Sequence, residues 1–426
     1  MRRSPRSMRA PTRFNALLSP ASYSGGPDRP TCCSARSARR LDGGRCGAIE
    51  RVCSAAGPAF AGAHFAVHFR SGHGGDRVTA GNGSLGTAVA VTLWGRLTDH
   101  TSDRFVAIVG LLLTAGALAV AGFAASLGSL WGTAIGLIGA GLTAAAPTVA
   151  LTKSVVRAFT DTDRIGLAFG VRQAAVPLGG VTAGLVLPLV ALSISLAAAL
   201  WTMSALLLLA AVLVALTVHS NRVRATARPP LGATPWRPVL PLFAASALYT
   251  ATQIGLVSLL TLYLVTARDW SPEAAALAFS FVMGATIALR VTIGFAADRW
   301  PLRRMALFRT TGLITAVVLL LAAWTNPQPI SVTLLIIASI MGMGWNSLAF
   351  TMTVSLVPAD RMGTSQGALN AIIFTSWGLA PIVTSRVVEA TSWPAAWVVL
   401  ALLSVAGAFI ARARLEPRRR SSSHVH

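Results

Sequence analysis

The sequence predicts an all-α polytopic membrane protein made of two similar helical bundles. Of its 426 residues, 54% are hydrophobic and only 12% are charged, and the mean hydropathy is +0.64. A soluble domain carries about 25% charged residues, so this chain cannot cover a surface that faces water. Apolar runs long enough to cross a hydrocarbon core of about 30 Å recur along it, and the charged gaps between these runs repeat.

From residue 83 onward we predict eleven membrane spans, each an apolar run bounded by polar or charged residues. They cover residues 83–98, 105–125, 128–152, 166–191, 194–218, 239–266, 273–297, 305–325, 330–357, 364–388 and 393–412. Glycine and proline inside the runs, such as Pro177, Gly342 and Gly344, are tolerated in membrane helices and let neighbouring helices approach closely.

These spans divide the chain into five segments. They are an atypical basic segment at 1–80, a first bundle of five spans at 81–218, a polar linker at 219–238, a second bundle of six spans at 239–414 and a basic tail at 415–426. The linker contains four Arg and four Pro, which is typical of a connection between halves.

Residues 1–80 differ in kind from the rest. Shifting the sixth span back by the repeat offset of 199 residues gives about residues 40–67, where a first helix is expected. That stretch holds Arg40, Asp42, Arg45, Glu50 and Arg51. So many charges make it costly to place in a bilayer.

Three explanations for this segment are open. It is rich in Arg and Ser like a targeting peptide, yet it lacks the apolar region of a secretion signal. It also fits a disordered basic arm. We favour a mis-started or frame-shifted reading that replaced the first helix, because the repeat requires a helix there. Its four cysteines, Cys32, Cys33, Cys46 and Cys53, lack the paired spacing of a zinc site.

The repeat is carried by charged gaps between spans. One copy consists of Gly95, Asp99 and Arg104 and the other of Gly294, Asp298 and Arg303, with 298 − 99 = 199 and 303 − 104 = 199. A second repeated stretch begins at Asp163-Arg164 and again at Asp360-Arg361, with 360 − 163 = 197. The chain is therefore a duplicated membrane unit.

Basic residues concentrate in alternate gaps. The gaps 96–104, 153–164 and 299–304 are basic, whereas the gaps 126–129 and 326–329 hold no charge. This alternation follows the positive-inside rule and predicts that the basic loops and the C-terminus lie in the cytoplasm. It also explains the net charge of +22 without a nucleic-acid partner.

The repeated gaps resemble the signature loop of the major facilitator superfamily, whose usual form is Gly-x-x-x-Asp-Arg/Lys-x-Gly-Arg-Arg/Lys. The second copy keeps most of it as Gly294, Asp298, Arg299, Arg303 and Arg304, with Pro301 near the usual glycine. The first copy has His100 for the basic residue and Ser102 for the glycine. The resemblance extends over residues 83–414 and implies a secondary transporter with two six-helix bundles around a central cavity.

In that family the loop is a latch for one state of alternating access. The resemblance implies a gating role for Gly95, Asp99, Arg104, Gly294, Asp298, Arg299, Arg303, Arg304, Asp163, Arg164, Asp360 and Arg361. Physically, the glycine lets two helices approach, and the aspartate pairs with a neighbouring arginine or with a helix N-terminus. The alternative is that these are ordinary helix-end charges that only follow the topology.

Arg290 is the strongest candidate for contact with a substrate. It lies eight residues before Asp298, or about 12 Å deeper at 1.5 Å per residue. A guanidinium there costs roughly 2.5–3.5 kcal/mol and should face a cavity or the bundle interior. None of the fourteen acidic residues lies near the middle of a predicted span, so an anionic substrate would suit it. An Arg in this helix also resembles facilitator-family carriers of monocarboxylates and nitrate. The alternative is an Arg that reaches the interface.

Other polar residues within the spans complete the candidate site. They are Arg172, Gln173, Asn370, Gln253, Tyr249 and Asn346. Arg172 fits either a second cationic contact or a gate residue, and the others either bind solute or hydrogen-bond between helices. The stretch from Val171 to Gly180 only partly resembles the antiporter motif Gly-Pro-x-x-Gly-Gly, because Val176 replaces its first glycine.

For function we expect a secondary active transporter of the inner or plasma membrane that moves a small organic or inorganic anion. The alternatives are a drug/proton antiporter and a truncated relic that transports nothing. We expect a multi-pass monomer in the lipid bilayer, with a coupling proton left open. No nucleophile–base pair, metal-ligand cluster or Gly-x-x-x-x-Gly-Lys-Ser/Thr motif stands out, so we expect no enzymatic activity, cofactor or metal.

Overall fold

The computed structural model describes residues 83–159, 162–218, 236–325, 327–357 and 361–411. The predicted segments 1–80 and 415–426, and nearly all of the predicted linker, lie outside these residues. Within the described part, the regular elements are twelve α-helices and a 3₁₀ turn at Pro301–Arg303. The α-helices are α1 (Gly83–His100), α2 (Asp103–Ser126), α3 (Leu130–Phe159), α4 (Ile165–Ser193), α5 (Leu196–Thr217), α6 (Trp236–Arg268), α7 (Pro272–Arg299), α8 (Arg304–Trp324), α9 (Gln328–Met341), α10 (Trp345–Leu356), α11 (Met362–Ala390) and α12 (Trp393–Ile410).

Local sequence sets where several of these helices begin. Ser102, Ser195, Ser271 and Ser392 precede α2, α5, α7 and α12, and each hydroxyl accepts a hydrogen bond from a backbone N–H in the first turn. Serine at this position satisfies a donor that the helix itself leaves unpaired. The polar gap residues therefore separate the spans and also start them.

In the described residues, each of the eleven predicted spans corresponds to one helix, except the span at 330–357, which forms the two helices α9 and α10, so the predicted fold class is confirmed. Nine segments there are long and apolar enough to cross a membrane, with α9 and α10 counted together. The other two predicted spans correspond to α1 and α4. Large apolar side chains face outward, including Val89, Leu216 and Trp324, which are 67%, 74% and 70% exposed. Such an apolar exterior is expected for helices surrounded by lipid.

The predicted span at 330–357 is one segment long and apolar enough to cross a membrane, but a turn that we did not predict interrupts its helix. Residues 342–344 form a turn that separates α9 from α10. Gly342 and Gly344 flank Met343, and glycine inside a helix costs about 1 kcal/mol relative to alanine. Short turn bonds replace the helical pattern there, from the Met343 N–H to the Ile340 carbonyl and from the Gly344 N–H to the Met341 carbonyl, both at 3.1 Å.

Packing within the halves follows the repeat. In the first half α2 packs against α3 and α5, and in the second half α8 packs against α9 and α12. The sixth helix, α6, lies against α11 and α12, and about two-thirds of the residues in its most apolar stretch are buried.

Two helix pairs make the main contacts between the halves, α1 with α11 and α4 with α7. The repeat relates α1 to α7 and α4 to α11, so each pair is the repeat counterpart of the other. These two junctions position the residues of the candidate site discussed below.

Candidate functional site

Helices α4 and α7 cross through glycines close to the end of the bundle that carries Arg164, Arg299 and Arg303, called here the basic end. A Cβ atom at Gly294 would lie 2.5 Å from the carbonyl oxygen of Gly166 and 2.9 Å from the Cα of Gly170. No side chain fits in that space, so the two backbones are in direct contact. The crossing holds the two halves together at the basic end.

The α1–α11 crossing repeats this arrangement with more room. A Cβ atom at Gly95 would lie 3.2 Å from the carbonyl oxygen of Gly363 and 3.4 Å from the Cα of Gly367. The glycines of the two crossings correspond by the repeat, since 294 − 95 = 199, 363 − 166 = 197 and 367 − 170 = 197. The duplicated glycines therefore serve the same purpose in both copies, the close approach of one half to the other.

Asp298 adds a charged contact to the α4–α7 crossing. The backbone N–H groups of Gly166 and Leu167 donate to its carboxylate at 2.6 and 2.7 Å. Both belong to the first turn of α4, where the helix dipole favours a negative charge. Arg304 lies 3.6 Å from the same carboxylate and also donates to the Ala297 carbonyl at 2.9 Å. Asp298 thus contacts a helix N-terminus in the first half and an arginine in the second.

The other loop residues take separate positions. Arg104 donates to the Ala215 carbonyl at 2.6 Å, near the C-terminus of α5. Arg361 is half-buried, and four further residues, Asp163, Arg164, Arg299 and Arg303, are exposed. The side chain of Asp99 and all of Asp360 lie outside the part of the chain that the structure describes. Of the two repeated loop aspartates, the structure therefore describes the contacts of Asp298 but not those of Asp99.

One charged cluster near this end was missed by the sequence analysis. Asp103, buried at the start of α2, lies 3.1 Å from Arg157 and 3.9 Å from Lys153 of α3. The Ser154 hydroxyl also donates to it at 3.3 Å. Asp103 follows the helix-capping Ser102 directly, and an acid in a first turn is a signal for a charged contact. Its partners could not be predicted, because only the structure shows that the start of α2 lies against the end of α3.

Deeper in the bundle, Arg290 of α7 is buried, with 2% of its surface exposed. Its Nε donates to the Met343 carbonyl at 3.1 Å, and its Nη1 donates to the Gln173 carbonyl at 2.6 Å. One acceptor lies in the α9–α10 break of the second half and the other in α4 of the first half. Arg290 therefore connects the two halves through carbonyl oxygens.

Arg172 lies beside this connection. Its Nη1 donates to the Gln173 side-chain oxygen and its Nη2 to the Thr148 carbonyl, both at 2.6 Å. The guanidinium carbon lies 5.4 Å from the ring centre of Phe350. Both arginines thus bind Gln173, one through its main chain and one through its side chain. Among the described residues, neither arginine has a carboxylate partner.

The network continues into the second half. Asn346 donates to the Met343 carbonyl at 3.4 Å and to the Gln253 side-chain oxygen at 2.9 Å, and Trp345 donates to that oxygen at 3.1 Å. In the described structure, the Gln253 amide nitrogen and the Asn346 amide oxygen are left without a partner. Five of the seven residues predicted for substrate contact are therefore in one hydrogen-bonded chain, namely Arg290, Arg172, Gln173, Gln253 and Asn346.

The remaining two predicted residues lie outside the network. Tyr249 packs against Phe308 and Trp345, with ring centres 4.8 and 6.0 Å apart, and its buried hydroxyl has no partner among the described residues. Asn370 donates to the Gln366 carbonyl of its own helix at 2.8 Å. Both are buried against protein, which favours the packing alternative for these two residues.

Comparisons with known proteins agree with this architecture. A sequence model described as Major Facilitator Superfamily matches residues 54–381. An uncharacterized MFS-type transporter of Mycobacterium tuberculosis is 29% identical over 346 residues, covering 78% of this chain and 75% of that protein. Crystal structures of two transporters share the fold. The human organic anion transporter MFSD10 (TETRAN) gives a TM-score of 0.66 at 16% identity, covering 78% of this chain and 82% of that one. FucP in its outward conformation gives 0.63 at 17% identity, covering 78% and 88%.

Proposed function

Because the chain belongs to the Major Facilitator Superfamily and is a multi-pass membrane transporter, we propose that its substrate is a small organic or inorganic anion. The carrier works by alternating access, as a monomer in the cell membrane, with its basic loops and C-terminus in the cytoplasm. One observation supports the anion most strongly: two guanidinium groups within the bundle meet at Gln173 with no carboxylate partner among the described residues.

The buried charge of Arg290 favours an anionic partner. Moving an arginine to the middle of a membrane costs roughly 2.5–3.5 kcal/mol, and neutral carbonyls compensate only part of this. Its two described bonds use Nε and Nη1, which leaves Nη2 without a partner in the described structure. A carboxylate or similar oxyanion accepts two parallel N–H bonds from a guanidinium. An anion would therefore supply the missing charge and occupy the free donor.

The break between α9 and α10 also supports a binding site for the cargo beside Arg290. Carriers of this kind commonly bind their cargo near the bilayer midplane, beside unwound helix segments. Met343 lies in the break between α9 and α10, and its carbonyl accepts from both Arg290 and Asn346. The free amide groups of Gln253 and Asn346 could then bind polar groups of the cargo.

The crossings supply the gate in this proposal. At the basic end, α4 contacts α7 and α1 contacts α11 through glycine, and Asp298 caps α4. Opening toward the cytoplasm requires these contacts to separate. If a proton is coupled, the anion itself can bring it. The likeness to an organic anion transporter shows a shared fold and says nothing of this chain's cargo.

Uptake into proteoliposomes tests the proposal. Purified protein would be screened with nitrate, acetate, lactate and pyruvate, and compared with Arg290→Ala. Arg386→Ala is the matched control, since Arg386 is exposed and pairs only with Glu389 in the described structure. We expect at least one anion to be taken up, with loss in Arg290→Ala and retention in Arg386→Ala. Transport of cationic drugs with no anion moved would contradict the proposal and favour the antiporter.

A further inference from the structure

The carbonyl that holds Arg290 to the first half has no ordinary helical partner. In an α-helix the carbonyl of residue 173 accepts from the N–H of residue 177. Residue 177 is a buried proline inside α4 and has no N–H to donate. The Arg290 guanidinium takes its place at 2.6 Å. Pro177 thus frees an acceptor at the point where α7 supplies a buried cation.

This arrangement lies immediately beside the α4–α7 crossing. A Cβ atom at Gly170 would lie 2.6 Å from the Arg290 carbonyl oxygen, so α4 and α7 are in backbone contact one turn from the bond. The bond cannot survive if the helices separate there. It therefore contributes to the closed state of the basic end.

We propose that the Gln173 carbonyl, freed by Pro177, competes with the transported anion for Arg290, so that anion binding releases α4 from α7. This rests on the proposed function above. When the carrier is empty, the carbonyl keeps the buried cation from being unpaired. When an anion arrives, its two oxygens bond Nη2 and Nη1 together, and this stronger, charge-assisted pair displaces the neutral carbonyl from Nη1. Pro177 is a positioning residue that acts through Gln173 and does not touch the cargo.

The chain contains a natural comparison for this device. The repeat places Asn370 at the position of Gln173, Phe374 at that of Pro177 and Val91 at that of Arg290, since 370 − 173 = 197, 374 − 177 = 197 and 290 − 91 = 199. Phe374 has an N–H, and Val91 carries no charge. The α1–α11 crossing therefore keeps the glycine contact without the arginine bond.

Distance measurements between spin labels can test the bond without any substrate. In a background with the four cysteines replaced by serine, labels would be placed at Thr162 and Leu302, two exposed residues at the basic ends of α4 and α7. Pro177→Ala restores an N–H that can donate to the Gln173 carbonyl within α4, which weakens the Arg290 bond. We expect the population with separated labels to rise about tenfold, because a hydrogen bond to a charged group is worth about that factor.

A double-mutant cycle makes the test specific. Arg290→Gln alone should produce a similar rise, and the double variant should add nothing to either single change. Pro381→Ala is the matched control. Pro381 also lies inside a long helix, α11, and neither of the two described hydrogen bonds of Arg290 goes to that helix. An additive cycle, or a rise in Pro381→Ala equal to that in Pro177→Ala, would overturn the bond's role.

Adding an anion separates this inference from the proposed function. We expect any anion that the wild type transports to increase the population of wild-type protein with separated labels. In Pro177→Ala, half of this effect should be reached at an anion concentration about tenfold lower, because the competing carbonyl is gone. If the cycle is non-additive and no anion has any effect, the bond stands and the proposed function fails. If an anion acts identically on wild type and Pro177→Ala, the anion function stands and the competition is wrong.

Discussion

The two crossings that join the halves are repeat counterparts, and in the described residues both pack glycine on glycine, but the α4–α7 crossing also holds a buried cation. Both place glycine against glycine across α1–α11 and α4–α7. At the α4–α7 crossing the neighbouring residues are Arg290 and Pro177, whereas the other crossing has Val91 and Phe374. The two halves thus share one kind of junction, and the α4–α7 copy differs by the buried charge of Arg290.

The crossings also differ in how closely the helices approach. The nearest backbone atom to a Cβ at Gly294 would be 2.5 Å away, against 3.2 Å for Gly95. The closer contact coincides with the bonds of Asp298 and Arg290. We therefore regard the α4–α7 crossing as the tighter gate.

The largest expected effect comes from adding one methyl group to each crossing. Gly294→Ala should reduce anion uptake by about tenfold or more, because its neighbour is backbone and overpacking costs about 1–3 kcal/mol. Gly95→Ala should reduce it less, since a shift of a few tenths of an ångström relieves the contact. Uptake by proteoliposomes containing equal amounts of folded protein measures both. Equal losses would contradict the difference between the crossings.

The next effect concerns the charge that caps α4. Asp298→Asn keeps the shape of the side chain but weakens its bonds to Gly166, Leu167 and Arg304, at a cost of about 1–2 kcal/mol. Hydrogen exchange at the start of α4 should then become about tenfold faster. Glu389→Gln, a similar change at an exposed site, is the control. Unchanged exchange in Asp298→Asn would show that the cap does not hold this end closed.

The sequence predicts the helices well, but not how they pair or which groups Arg290 contacts. Apolar runs and the repeat predicted the helices, because hydropathy and spacing can be measured on the sequence itself. The repeat shows which helices are alike but not which ones touch, so the pairing of α4 with α7 required the structure. The partners of Arg290 are carbonyls, which every residue has. Pro177, four residues after Gln173, was the available signal for one of them.

A smaller effect is expected at Arg172. Arg172→Lys keeps the charge but loses the planar group that lies over Phe350 and reaches Gln173 and Thr148 together. The anion concentration at half-maximal uptake should rise by about threefold to tenfold, with Arg386→Lys unchanged. If that concentration rose more in Arg172→Lys than in Arg290→Lys, the main contact with the anion would be on α4 and not on α7.

The smallest effect separates two adjacent arginines of the signature loop. Arg303 is exposed, and Arg303→Ala should change the stability by about 0.5 kcal/mol or less. Arg304 is bonded to Ala297 and lies near Asp298, so Arg304→Ala should lower the thermal unfolding midpoint in detergent measurably more. The reverse order would show that Arg303 is the residue that acts in the loop.

Charge movement on a solid-supported membrane tests most directly whether Arg290 binds an anion. Protein in proteoliposomes would be exposed to rapid jumps of nitrate or lactate, with Arg290→Gln and Arg386→Gln recorded beside the wild type. We predict a transient that depends on the anion in the wild type and Arg386→Gln, and its loss in Arg290→Gln. A transient of undiminished size in Arg290→Gln would contradict the account.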